Sequence, residues 1–108
     1  IKSGGEWISS IILENAAVGC PGVAEAAVVG MAHPRWQERP LAFVVLRPGS
    51  KLSADDIREH LSPLFAKWQL PEQVIFTNSI ARTSVGKADK KRMRAEHQDI
   101  YVKDSGDD

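Results

Sequence analysis

Two apolar runs separated by eight residues leave this chain few ways to fold. Val23 to Met31 is nearly unbroken in small apolar residues, and Leu41-Ala42-Phe43-Val44-Val45-Leu46 forms a second run inside Pro40 to Arg47. Both read as buried strands. The connection, Ala32-His33-Pro34-Arg35-Trp36-Gln37-Glu38-Arg39, is too short for a crossover helix, so the strands pair antiparallel. A third strand, Gln73-Val74-Ile75-Phe76-Thr77, arrives through a helical crossover.

The remaining segments supply helices and one small hairpin. Ile1-Lys2-Ser3-Gly4-Gly5-Glu6-Trp7-Ile8 reads as a hairpin whose Gly4-Gly5 pair provides the positive-φ residues of a tight turn. Ser9 or Ser10 caps a helix to about Val18, with Ile12/Ala16 and Leu13/Ala17 at the spacing of a buried stripe. Gly19-Cys20-Pro21-Gly22 ends it, and Cys20 is expected as a small buried residue. Ser53-Ala54-Asp55-Asp56 is a variant capping box with an acidic first turn. Ile57, Leu61, Leu64, Phe65 and Trp68 then form a helical face, which Pro63 kinks or splits. A basic helix is expected from about Ala88 to His97. The fold class expected is α+β: a small N-terminal β-hairpin followed by a three-stranded sheet packed with helices. Residues 1–98 are expected to form the domain, and 99–108 an acidic, disordered tail.

Composition narrows the partners. Fourteen basic and fourteen acidic residues cancel, so no global field draws the chain to nucleic acid or an anionic membrane. The basic run Lys87, Lys90, Lys91, Arg92 and Arg94 lacks interleaved aromatics and reads as a solvated face. Hydrophobic residues make up 43% and charged residues 26%, ordinary for a soluble globular domain. No apolar run approaches the ~20 residues of a membrane span. A single cysteine excludes an internal disulfide and fits a reducing compartment, so a cytoplasmic location is expected. The chain opens on Ile1 and reads as a piece of a longer protein. His33, His60 and His97 are far apart, with no ligand-spaced carboxylate or cysteine, so no metal site is expected.

Three features carry the chemistry. The first is the loop Arg82-Thr83-Ser84-Val85-Gly86-Lys87. Alone, Gly86-Lys87 reads as a solvated loop lysine, yet a lysine on a Gly-containing loop also places one mobile cation beside a phosphate. It is not a phosphate-binding P-loop, because Ala81 and Ala88 stand where that motif needs glycine and a hydroxyl. The second is Gly4-Gly5, where bare backbone lets a ligand lie close. The third is the loop from Ala32 to Arg39, where Trp36 between Arg35 and Arg39 suits a nucleotide-like ligand or simply covers the sheet edge.

In this order the features resemble the C-terminal domain of the adenylate-forming (AMP-binding) acyl-CoA synthetases. Ile1 to Ser9 is similar to the motif that follows the hinge in that family. Lys67-Trp68-Gln69-Leu70-Pro71 is similar to its aromatic-x-x-Pro motif, and Arg82 to Lys87 to its closing lysine motif. The wording "SGGEWIS" and "HPRWQERP" is closest to bacterial fatty-acyl-CoA ligases. The resemblance implies two half-reactions. A carboxylate attacks the α-phosphate of Mg-ATP to give acyl-adenylate and pyrophosphate. The C-terminal domain then rotates, and the thiol of coenzyme A takes the acyl group. Lys87 is implied as the catalytic lysine of the first step, with Thr83, Ser84 and Gly86 shaping its loop. Gly4, Gly5, Glu6, Trp7, Trp36 and Trp68 are implied along the coenzyme A channel, and Arg35 and Arg39 are expected as contacts for its phosphates. ATP and Mg2+ are implied to be held mainly by an N-terminal AMP-binding domain outside this chain. This fragment alone is therefore expected to be inactive. Where the family has proline six residues before the lysine, this chain has Ala81, so acetylation of that lysine is not carried over. The alternatives are an adenylation domain that loads a carrier protein and a non-catalytic binding module with the same fold.

Overall fold

The computed structural model describes residues 1–101. Its elements are β1 (Lys2–Ser3), β2 (Glu6–Trp7), α1 (Ser10–Val18), β3 (Val23–His33), β4 (Gln37–Leu46), α2 (Ala54–Leu61), a 3-10 turn (Lys67–Gln69), β5 (Gln73–Phe76) and α3 (Lys90–Glu96). The architecture is α+β, as expected. The hairpin is not a separate unit, because β1 pairs with β4 at Ser3 and Gln37 and the five strands form one sheet.

β3 and β4 pair antiparallel from Val23 and Leu46 to His33 and Gln37. The turn between them is three residues with Gln37 following at φ 71, a left-handed position that closes hairpins of this length. β5 runs parallel to β4 from Leu41 to Val44, as the α2 crossover requires. β3 occupies one side of β4, so β1 and β5 lie in line along the other.

Both faces of the sheet are covered, which explains why its sequence runs are continuous and not alternating. Ala27, Val29, Met31, Leu41, Phe43 and Val45 pack with Ile80, Met93 of α3 and Tyr101. Val28, Ala42 and Val44 face α1 and α2, meeting Ile8, Leu13, Ala17, Ile57 and Leu61. A register shift between Val23 and Glu25 swings Val23 onto this second face. Cys20 is buried there, and burial, then the charge of Asp56, push its thiol pKa up.

β3 is an edge strand, and the Val28 N–H on that edge donates to Glu14 of α1 at 2.7 Å. Glu14 in turn pairs with Lys90 of α3 at 2.8 Å.

Four local expectations change. Ile12 is 59% exposed, and Leu13 and Ala17 alone carry the buried stripe of α1. The second helix stops at Leu61, where the Pro63 segment divides it, and Trp68 falls in the separate 3-10 turn. The last helix starts at Lys90, capped by Asp89, whose side chain accepts from the Arg92 N–H. The folded body also continues past Gln98. Tyr101 is 2% exposed, donates to the Pro40 carbonyl at 2.7 Å and accepts from the Gln73 N–H at 3.2 Å. The rest of the expected tail, 102–108, lies outside the described residues.

Candidate functional site

The lysine loop is a small hairpin of its own. Arg82 and Ala88 form an antiparallel bridge, the Thr83 N–H donates to the Lys87 carbonyl at 2.8 Å, and the Gly86 N–H donates to the Thr83 carbonyl at 2.9 Å. Gly86 closes the turn at φ 84, a conformation that suits glycine. The loop is fastened by an ion pair between Arg82 and Glu25 on β3, and Arg82 also donates to the Gly86 carbonyl at 3.3 Å. Thr83, Ser84, Val85, Gly86 and Lys87 are all exposed. No described residue pairs with the Lys87 ammonium, so its charge is available to a ligand.

The second surface is a cleft of about 700 Å3 lined by Ser3, Gly4, Glu6, Trp36, Arg39, Lys67, Trp68 and Glu72. The hairpin forms one wall. Gly4 sits at φ 58 and donates its N–H to the Trp36 carbonyl at 2.8 Å. A methyl group on its α-carbon would lie only 3.2 Å from the indole of Trp36. Any larger residue there pushes Trp36 aside. Gly5, at φ 87, has open space around its α-carbon and donates to the Gln37 side chain at 3.3 Å. The 3-10 turn forms the other wall, with Trp68. Trp36 and Trp68 are each about half exposed, so both rings can receive a flat or apolar ligand.

The structure thus brings Gly4, Glu6, Trp36 and Trp68 together, with Gly5 at the hairpin tip beside them. Trp7 stands apart, 72% exposed, with the Lys2 ammonium 5.8 Å from its ring centre. Arg35 is exposed on the turn between β3 and β4. Arg39 is corrected. It is 6% exposed and paired with Glu72 at 2.6 Å, and its guanidinium also donates to Ser3, Trp68 and Leu70. A side chain so fully engaged is held inside the protein and is not free for a phosphate. Lys67 and Glu72 join the cleft without having been expected there. Lys67 stands within the aromatic-x-x-Pro motif, where its position beside Trp68 was the available signal.

The two surfaces lie at opposite ends of the sheet. Glu25, which anchors the lysine loop, pairs opposite Val45, and Gln37 marks the cleft end of the same strand. At ~3.3 Å per residue the eight intervening steps span roughly 26 Å.

Residues 13–87 match the AMP-binding enzyme C-terminal domain. The chain belongs to that family. A long-chain-fatty-acid–CoA ligase of Thermus thermophilus is 55% identical over 94% of this chain and 19% of its own length. A 3-methylmercaptopropionyl-CoA ligase of Ruegeria lacuscaerulensis is 46% identical over the same shares. The crystal structure of apo MatB from Rhodopseudomonas palustris superposes with a TM-score of 0.90 at 31% identity, over 94% of this chain and 20% of that one. This AMP-binding C-terminal domain therefore spans about one fifth of the length of the relatives it matches. Among the described residues, no helix is long and apolar enough to cross a membrane.

Proposed function

We propose that this domain serves an ATP-dependent fatty-acyl-CoA ligase, with Lys87 acting in acyl-adenylate formation and the Trp36/Trp68 cleft in thioester formation. The observation that carries the reading is the pairing of one unengaged lysine on a tight loop with a Gly/Trp cleft at the far end of the sheet.

In the adenylation step a carboxylate oxygen attacks the α-phosphorus of ATP and pyrophosphate leaves. Negative charge builds on the oxygens around that phosphorus. The Lys87 ammonium, held out by the Arg82-anchored loop, would bridge the attacking carboxylate and the adenylate oxygens. A compact ammonium fits that position better than the wide fork of arginine. In the second step the thiol sulfur of coenzyme A attacks the acyl carbonyl, loses its proton, and AMP leaves. The pantetheine arm would pass the bare backbone at Gly4 and Gly5, and the nucleotide end would lie against Trp36 and Trp68. The cleft's residues fit such a ligand, offering two aromatic faces with the exposed Lys67 cation and Arg35 nearby. Among the described residues no group of three or more His, Cys, Asp or Glu could hold a metal. In this reading ATP and its Mg2+ are held mainly by the further length that the matched relatives carry.

The test is ATP–pyrophosphate exchange by the intact enzyme across short to long fatty acids. Lys87→Ala should lower exchange by ~10²–10³. If no acid supports exchange in the wild type, the fold is left without the chemistry and a binding module is favoured. Thioester formation with free coenzyme A separates this reading from the loading of a carrier protein. The 108-residue chain alone should catalyse neither step.

A further inference from the structure

Arg39 lies on β4 between Gln37, which pairs with β1, and Leu41, which pairs with β5. Because β1 and β5 share one side of β4, a break in the sheet falls opposite Arg39. The guanidinium fills it. It donates to the Ser3 hydroxyl at 3.1 Å, the Trp68 carbonyl at 2.5 Å and the Leu70 carbonyl at 3.1 Å, and pairs with Glu72 at 2.6 Å. Ser3 precedes Gly4 in the hairpin wall of the cleft, and Trp68 is the aromatic wall. The two walls are remote in sequence and meet on this one side chain. In the stretch from Ser62 to Glu72 the three-residue 3-10 turn satisfies the Ala66 and Lys67 carbonyls locally, while those of Trp68, Leu70 and Glu72 take donors from elsewhere. Arg39 supplies two of those carbonyls, and Arg58 donates to the Glu72 carbonyl at 3.0 Å.

We propose that Arg39 is a positioning residue for the coenzyme A step, fixing Trp68 against the Gly4–Trp36 wall without touching the ligand. The proposal rests on the assignment of this cleft to thioester formation. It explains why a cation is buried at a break in the sheet, where an apolar side chain would leave the Ser3 hydroxyl and two carbonyls unsatisfied. Lysine cannot substitute fully. Its point charge can hold Glu72, but it lacks the planar fork that reaches Ser3, Trp68 and Leu70 together.

The experiment uses the intact enzyme, labelled with fluorotryptophan and assigned by Trp→Phe changes, as Arg39→Lys and as the milder Ser3→Ala. In Arg39→Lys the KM for coenzyme A should rise about tenfold while ATP–pyrophosphate exchange stays within about twofold of wild type, because misorientation at one cleft leaves the other site intact. Ser3→Ala should move KM in the same direction by less. The fluorine resonances of Trp36 and Trp68 should shift in both variants, and that of Trp7, which stands outside the cleft, should not. Parallel loss of both half-reactions would reduce Arg39 to a stability role, and an unchanged KM with unmoved resonances would also overturn the proposal. If wild type makes no thioester with free coenzyme A, the cleft assignment fails on its own. The spectra still decide the rest: unmoved Trp36 and Trp68 resonances would reject Arg39 as their positioner.

Discussion

Arg39 and Lys87 both occupy polar stretches of the sequence, and the fold treats them in opposite ways. Lys87 was legible because a Gly turn and a family motif both presented it to solvent. Arg39 was not, because its burial depends on a sheet break created by β1 and β5, which are remote from it in sequence. Tyr101 was illegible for a related reason. It lies three residues before the acidic, apolar-free run Asp104 to Asp108, and only the carbonyl of Pro40 and the N–H of Gln73 reveal why a phenol belongs in the core. Burial pushes its pKa up, with a further push from the charge of Glu72. The folded state therefore keeps the phenol proton at pH values where the unfolded chain has lost it. Stability from this group is complete below the ordinary tyrosine pKa of ~10 and falls as pH rises above it. Tyr101 is the only tyrosine in the chain, so phenolate absorbance should appear together with unfolding in an alkaline titration. Tyr101→Phe should flatten the alkaline decline of the unfolding midpoint; an unchanged slope would assign the decline to other groups.

At the scale of elements, the start of α2 was read more accurately than its end. Ser53 accepts from the Asp56 N–H at 3.1 Å while Asp56 accepts from the Ser53 N–H at 2.8 Å, a closed capping box of the expected kind. Both halves are local, so four adjacent residues suffice to specify them. Ser53→Ala should lower unfolding free energy by ~1 kcal/mol, measured by urea titration, with the slope of the transition unchanged. The end of α2 was harder. The apolar spacing from Ile57 to Trp68 continues a helical period, but the chain leaves the helix after Leu61 and Leu64 turns outward at 62% exposure. Proline offers either a kink or a break; here the helix breaks, and Trp68 lies at the cleft wall with its carbonyl accepting from Arg39. Which face of α1 is buried was also beyond a period argument. That helix is apolar on several sides, and its packing partners, not its spacing, select Leu13 and Ala17.

At the scale of the whole molecule, β4 works as a ruler with a candidate site near each end. The antiparallel pair was fixed by the short connection, and the parallel third strand by its helical crossover. Joining the hairpin into the same sheet was not foreseeable from two-residue strands. This separation makes a reciprocal prediction for the intact enzyme. Gly5→Leu places a bulky side chain at a φ of 87 on the cleft rim, so it should suppress thioester formation from supplied acyl-adenylate and spare ATP–pyrophosphate exchange. Lys87→Ala should do the reverse. Equal damage to both half-reactions by both changes would reject the division of labour. The outer side of β3 has a different consequence. An unpaired strand edge invites a strand from another molecule, which can seed aggregation. Here an incoming strand meets the Glu14 carboxylate on the Val28 N–H, held in place by Lys90, and must displace that hydrogen bond before it can add. The sheet is thus guarded at the middle of its longest edge, where an added strand would otherwise find the Val28 N–H open.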